Sequence, residues 1–210
     1  MTAHPSPTLV HLVDDDASVR AALEDLLASV GLTTRSYVSA ADFLERATFA
    51  EPACLVLDVR MPGMNGLDLQ QELQRREIAL PIIFITGHGD IPMSVRAMKQ
   101  GALEFLTKPF RDQDLLDAID QALGRAREAF AARAQLADLQ ARVDSLNSGE
   151  REVLARVVTG LLNKQIAAQL GVSEITVKVR RAAIMRKLQA GSLAELVKMV
   201  ERLESARAQG

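Results

Sequence analysis

The stretch Cys54-Leu55-Val56-Leu57-Asp58-Val59-Arg60-Met61-Pro62-Gly63-Met64-Asn65-Gly66 decides how the rest of the chain is read. Four apolar residues run into Asp58, and Pro62-Gly63 turns the chain soon after. A short apolar run stopped by turn residues predicts a buried strand. It leaves a lone carboxylate at the C-terminal edge of a sheet, where open α/β folds keep their sites. A charge in that place suits a metal ligand, a nucleophile or a cap.

Outward from this strand the same pattern repeats. Leu9–Val13 predicts a strand ending in Asp14-Asp15-Asp16, with Asp16 as N-cap of a helix over Ala17–Val30 that Gly31 closes. Thr33–Tyr37 predicts a second strand, and Ser39 caps a helix to about Arg46. After the central strand come a helix from Gly66 to Arg76 and a buried strand over Pro81–Thr86. The run Gly87-His88-Gly89-Asp90 leads to a helix over Ile91–Gln100 that stops at Gly101, and Phe105–Thr107 is a fifth strand ahead of Lys108-Pro109-Phe110. Strands alternating with helices predict a five-stranded parallel, doubly wound α/β sheet. Right-handed crossovers bring all strand C-termini to one edge.

That edge collects Asp14, Asp15, Asp58, Thr86 and Lys108 from four different strand ends. Carboxylates gathered this way repel unless a hard cation joins them, and oxygen-only ligation suits Mg²⁺. Lys108 adds a fixed positive charge and Thr86 a hydroxyl. The set fits an incoming phosphoryl group, with its oxygens neutralised by the cation and Lys108 and hydrogen-bonded by Thr86. The Asp58 carboxylate would attack, giving an acyl phosphate.

Bulk composition narrows the class. The 210 residues are 48% hydrophobic, enough for one or two cored domains, and no apolar run is long enough to span a bilayer. No signal-peptide pattern opens the chain. The single cysteine, Cys54, lies inside the predicted strand, which excludes disulfides and favours a cytoplasmic address. His4, His11 and His88 do not cluster with it, so a zinc site is not expected. The net charge of −2 hides a split. Residues through Leu123 hold 10 Lys/Arg against 18 Asp/Glu, and those from Gly149 onward hold 11 against 6. An acidic module suits a cation or basic partner, and a basic one suits phosphate backbones.

From Arg111 to Leu146 there is no proline and one glycine, Gly124. Leu116, Ile119, Leu123, Ala126 and Phe130 follow a helical stripe, and Leu136, Leu139, Val143 and Leu146 follow another, shifted by one residue. A long joining helix is predicted, and its second stripe also suits a short coiled coil with a second copy. Asn147 and Glu150 form a capping-box-like start to a helix ending at Gly160. Asn163 is expected to cap a helix to Leu170, Gly171-Val172-Ser173 to turn, and Ser173 to cap a helix to about Leu188. This is helix-turn-helix spacing. The last helix carries Lys178, Arg180, Arg181, Arg186 and Lys187, with Ile175, Val179, Ala183 and Ile184 as its expected inner face. A basic helix held this way suits the major groove. A fourth helix over Leu193–Arg202 has Leu193, Leu196, Val197, Val200 and Leu203 on one face.

Residues 9–123 closely resemble the receiver domain of bacterial two-component response regulators, through Val13-Asp14-Asp15, Asp58 with Met61-Pro62-Gly63 and Gly66, Thr86, and Lys108-Pro109-Phe110. The runs 87–93 and 95–99 resemble the FixJ branch. The resemblance implies that Asp58 is the phosphoacceptor and that Mg²⁺ is held by Asp15, Asp58 and the Arg60 carbonyl, with Asp14 assisting through water. It also implies that Thr86 and Phe105 form the conformational switch pair. Residues 146–203 resemble the LuxR/FixJ-type DNA-binding domain, through 150–154, 160–167, 170–173 and 176–179. This resemblance implies Lys178, Val179 and Ala182 at base edges, and Asn163, Lys164, Thr176 and Arg181 near phosphates. The sequence departs from that pattern where Gly149 replaces a usual Arg, Arg180 a common His and Ala183 a usual Asn. Arg180 would add a phosphate contact or alter base preference.

The expected organisation is a receiver over 8–123, a helical linker over 124–146 and an all-α helix-turn-helix domain over 147–203. The expected function is that of a response regulator and transcription factor, phosphorylated at Asp58 by a sensor histidine kinase, dimerising on phosphorylation and activating promoters through RNA polymerase. It is not expected to be an enzyme beyond slow self-dephosphorylation. The alternative is an aspartate-nucleophile, phosphatase-like hydrolase. Such enzymes want a second carboxylate two residues on, and that position is Arg60. A receiver without a DNA role is a third class, opposed by the basic helix 178–187.

Overall fold

A computed structural model describes residues 8–87 and 91–209, with side chains through residue 206. His4 and the stretch 88–90, including His88, lie outside the described residues. The chain divides into two compact units, residues 1–131 and 132–210.

The first unit runs β1 (Leu9–Val13), α1 (Ala17–Ser29), β2 (Thr33–Tyr37), α2 (Ala40–Arg46), β3 (Ala53–Asp58), α3 (Gly66–Arg75), β4 (Ile82–Thr86), α4 (Ile91–Lys99) and β5 (Glu104–Thr107). A long helix, α5 (Asp112–Asp144), begins in this unit and ends in the second. All strands are parallel, in the order β2-β1-β3-β4-β5. The fold class read from the alternation is the one observed, a flavodoxin-like doubly wound sheet followed by an all-helical region.

Period two in the strands divides the core. Leu55 and Leu57 face one side with Phe43, Leu69, Leu73 and Ala97. Cys54 and Val56 face the other with Leu23, Leu27, Leu115, Ile119 and Ala122. Both faces of β3 are therefore covered, which is why it reads as a continuous apolar run rather than an alternating one. Asp16 caps α1 by accepting from the backbone N–H of Ser18 and Val19, and Ser39 caps α2 through Asp42 N–H. Gly31 and Gly101 take the left-handed conformation that ends α1 and α4.

The second unit holds the end of α5 followed by α6 (Ser148–Val157), α7 (Asn163–Leu170), α8 (Glu174–Leu188) and α9 (Leu193–Gln209). The capping box is formed: Asn147 Oδ1 accepts from Glu150 N–H, and a Glu150 carboxylate oxygen accepts from Asn147 N–H. The second stripe is taken up locally, with Leu139 of α5 and Leu146 just past its end buried, and Val143 against this unit's own core. Two sequence expectations fail here. Asn163 does not cap α7; Leu162 holds the cap position, and Asn163, already helical, accepts a hydrogen bond from Arg181 at 2.6 Å. Ile175 and Val179 are not an inner face but stand 73% and 63% exposed. Val177, Ile184 and Leu188 are the buried residues of α8. Apolar residues occur on both sides of this helix, so which side turns inward is set by α6 and α7, not by its own pattern.

No described helix is long and apolar enough to cross a membrane.

Candidate functional site

Strand register explains how the edge residues meet. Val13 pairs with Leu57, so Asp14 stands level with Asp58. Asp58 pairs with Ile85, one residue before Thr86, and Thr86 pairs with Thr107, one before Lys108. The chain reverses its order of strand addition between β1 and β3, so the two aspartates flank the topological switch point.

Lys108 closes the group. Its ammonium lies 2.8 Å from Asp14 Oδ2 and 3.2 Å from Asp58 Oδ1. The remaining oxygens are held by backbone: Asp16 N–H donates to Asp14 Oδ1 at 2.9 Å, and Arg60 N–H to Asp58 Oδ2 at 2.7 Å. Asp14 is 1% exposed and Asp58 6%. Burial raises the Asp58 carboxyl above its ordinary range, against the opposing charge and hydrogen bond of Lys108. Burial also works against the charge on Lys108, yet its hydrogen bonds and attraction to Asp14 and Asp58 raise it overall. Lys108 thus stands as one cation between two buried carboxylates.

Asp15 is not part of that set. Its side chain is exposed, and among the described residues no three His, Cys, Asp or Glu side chains are gathered as a metal cluster. Arg60 is exposed beside Asp58. Thr86 is fully buried, and its carbonyl accepts from Lys108 N–H at 2.7 Å. Phe105 is half-buried, its ring 6.1 Å from that of Phe84 and packed against the core. It is neither free on the surface nor fully enclosed.

Two positioning contacts emerge from the geometry, one at Arg20 and one at Gly66, a residue of the matched motif. Arg20, at the end of the first turn of α1, donates to the Asp14 carbonyl at 2.7 Å. Gly66 packs so tightly on the end of β3 that a Cβ there would collide with the Asp58 carbonyl oxygen. Nothing in sequence spacing signals the Arg20 contact. The Gly66 contact follows from the Asn65-capped start of α3 directly after the turn.

In the second unit, Lys164, Lys178, Val179 and Ala182 are exposed, and Asn163, Thr176, Arg180 and Arg181 half-buried. Lys178, Val179 and Ala182 share the outward side of α8 with Ile175 and Arg186. Arg181 leans toward α7 through Asn163, whereas Arg180 leans the other way and donates to the Gly149 carbonyl. Lys187 pairs with the Glu150 carboxylate at 2.7 Å, fastening α8 to the start of α6.

A doubly wound sheet with this acid–lysine edge, followed by a helix-turn-helix unit, defines a two-domain signalling regulator. The comparisons agree. The profile of the response regulator receiver domain matches residues 10–120, and that of bacterial regulatory proteins of the luxR family matches 144–200. Nodulation protein W of Bradyrhizobium diazoefficiens is 50% identical over 202 residues, covering 96% of this chain and 89% of that protein. The transcriptional regulatory protein FixJ of Azorhizobium caulinodans is 45% identical over 195 residues, covering 93% and 92%. The solved structure of the response regulator StyR superposes with a TM-score of 0.83 at 50% identity, covering 93% of this chain and 99% of that one. The chain belongs to the response regulators that join a receiver domain to a LuxR-type DNA-binding domain, the group that contains FixJ.

Proposed function

We propose that Asp58 is the phosphoacceptor and that its phosphorylation by a sensor histidine kinase switches the chain to a promoter-binding dimer. The observation that carries this is the Lys108 ammonium held between Asp14 and Asp58 at the switch point of the sheet. An Asp58 oxygen attacks the phosphorus of a phosphohistidine or a small acyl phosphate. The bond from phosphorus to the donor breaks, and an aspartyl phosphate forms. Lys108 balances the added charge, and Thr86 can supply a hydroxyl to the new phosphoryl oxygens.

The donor set suits Mg²⁺. Asp14 and Asp58 supply buried carboxylate oxygens at one sheet edge; Asp15 adjoins Asp14 in the chain, and Arg60, whose carbonyl would be a further ligand, follows two residues after Asp58. A bound Mg²⁺ would neutralise transferring phosphoryl oxygens. Inward movement of Thr86 would open room for Phe105, which already lies half-way into the core. The neighbouring α4 carries an exposed apolar ridge, Ile91, Val95 and Met98, suited to a second copy. The switch is a population shift, so phosphate acts only through its better fit to one state.

On the DNA side, Lys178, Val179 and Ala182 are proposed at base edges, with Asn163, Lys164, Thr176 and Arg181 toward phosphates. Lys178 suits a guanine edge and the apolar pair a thymine methyl. Activation through RNA polymerase and a cytoplasmic address follow from the likeness to FixJ-type regulators, and dephosphorylation is expected to be slow. The phosphatase-like alternative lacks a partner acid, because Arg60 stands two residues beyond Asp58.

The test is incubation with Mg²⁺ and acetyl phosphate, read by mass spectrometry. Wild type gains a phosphoryl group that Asp58→Asn does not. Equal incorporation into Asp58→Asn overturns the assignment.

A further inference from the structure

The two positions at which the second unit departs most in charge from the pattern it resembles, Gly149 and Arg180, touch each other. Gly149 is the second residue of α6, and Arg180 lies in the middle of α8. The Arg180 guanidinium fills the place a side chain at 149 would take. A Cβ on Gly149 would lie 2.5 Å from Arg180 Cζ and 2.8 Å from each terminal nitrogen. One of those nitrogens points its hydrogen at the Gly149 carbonyl oxygen, 3.4 Å away.

The position of Arg180 on its helix makes this meaningful. With 100° per residue, Arg180 sits on the flank of the buried residue Val177, well round from the outward residues Ile175, Lys178, Val179 and Ala182. A long side chain on that flank has two directions open to it. It can lie back against α6, or it can swing out toward whatever the exposed face of α8 meets. The notch at Gly149 selects the first.

We infer that Gly149 and Arg180 act as one device: the glycine notch holds the Arg180 guanidinium against α6, so that Arg180 positions the recognition helix and is withheld from base edges. This assigns base choice on α8 to the outward residues and removes Arg180 from it. The inference rests on the reading of α8 as the helix that enters DNA.

The notch also makes the test clean. The atoms that an added Cβ would strike are the far end of a flexible side chain. Gly149 does not take the left-handed backbone conformation, so alanine meets no backbone strain in this first turn of α6. Gly149→Ala therefore keeps the fold and changes one thing, the direction of Arg180.

The experiment uses the full chain activated with beryllofluoride and a pool of duplexes randomised over the bound segment. Base preference and affinity are read for wild type, Gly149→Ala, Arg180→Ala and the double variant, with Lys178→Ala as a control. Arg180→Ala is expected to lower affinity for all duplexes by one common factor and leave the preference unchanged. Gly149→Ala is expected to alter the preference when Arg180 is present and to be silent in the Arg180→Ala background. A relaxed preference at one base pair in Arg180→Ala overturns the inference. So does a Gly149→Ala effect that is the same in both backgrounds. If Lys178→Ala leaves the preference intact, the recognition-helix reading fails separately, and the dependence of the Gly149→Ala effect on Arg180 still decides the pairing.

Discussion

His11 makes stability fall as pH drops below neutrality. It lies at the centre of β1, fully buried, with Nδ1 sharing a hydrogen bond with the Tyr37 hydroxyl at 3.0 Å. The rings of Tyr37, Phe43 and Phe49 surround it at 5.4 to 5.9 Å. Burial first, and the charge of Arg35 second, lower its pKa from 6.5 to about 4, although the Thr48 backbone opposes the shift. In the unfolded chain the ring keeps an ordinary value. Between pH 6.5 and 4 the unfolded state therefore holds a proton that the folded state refuses, and each unit of pH removes about 1.4 kcal/mol. The whole window costs about 3 kcal/mol, fully present as stability above pH 6.5 and gone below pH 4. The raised Asp58 carboxyl acts in the opposite sense, since the folded state then gains by taking up a proton. The useful quantity is therefore the difference between wild type and His11→Phe, followed by urea unfolding with circular dichroism at several pH values. His11→Phe removes the titration and leaves the Tyr37 hydroxyl without its partner, which offsets its curve without tilting it. The two curves should converge by about 3 kcal/mol from pH 7 to pH 4. Parallel curves would refute the argument, as would a His11 ring titrating near 6.5 by NMR in the folded protein.

Gly66→Ala should destabilise the first unit by about 1–3 kcal/mol, because the added carbon meets the Asp58 backbone carbonyl and not a yielding side chain. An unchanged thermal transition would contradict this. Lys108→Met should raise the Asp58 carboxyl further, since it removes the cation that opposes burial, and should slow labelling by acetyl phosphate on the order of a hundredfold. Labelling at the wild-type rate would show that the lysine is structural only. Asn147→Ala should cost the second unit about 1 kcal/mol by removing the Oδ1 acceptor from the start of α6, measured as a lower melting transition.

Much of this protein is legible in its sequence, because the physics involved is local or periodic. Apolar runs ended by turn residues mark β1, β3 and β4, and Asp16, Ser39 and Ser173 cap the helices that follow them. Once the strands are parallel, residues just past their ends must share an edge, so Asp14, Asp58, Thr86 and Lys108 could be assembled from one dimension. Tertiary structure alone decided the rest. Asp15 precedes Asp16 as closely as Asp14 precedes Asp15, yet the pleat and the turn into α1 bury one carboxylate and expose the other. Asn163 has the composition of a cap, but a cap accepts from its own helix, and Arg181 from α8 claims its oxygen instead. Ile175 and Val179 are as apolar as Val177 and Ile184, and α8 by itself does not state which side is inside. The direction of Arg180 depends on a side chain that Gly149, thirty-one positions away, does not have. A chain records its own periodicities and caps, since these involve near neighbours. It does not record which of two equivalent faces, partners or rotamers is taken, because the energy that separates them comes from atoms distant in sequence.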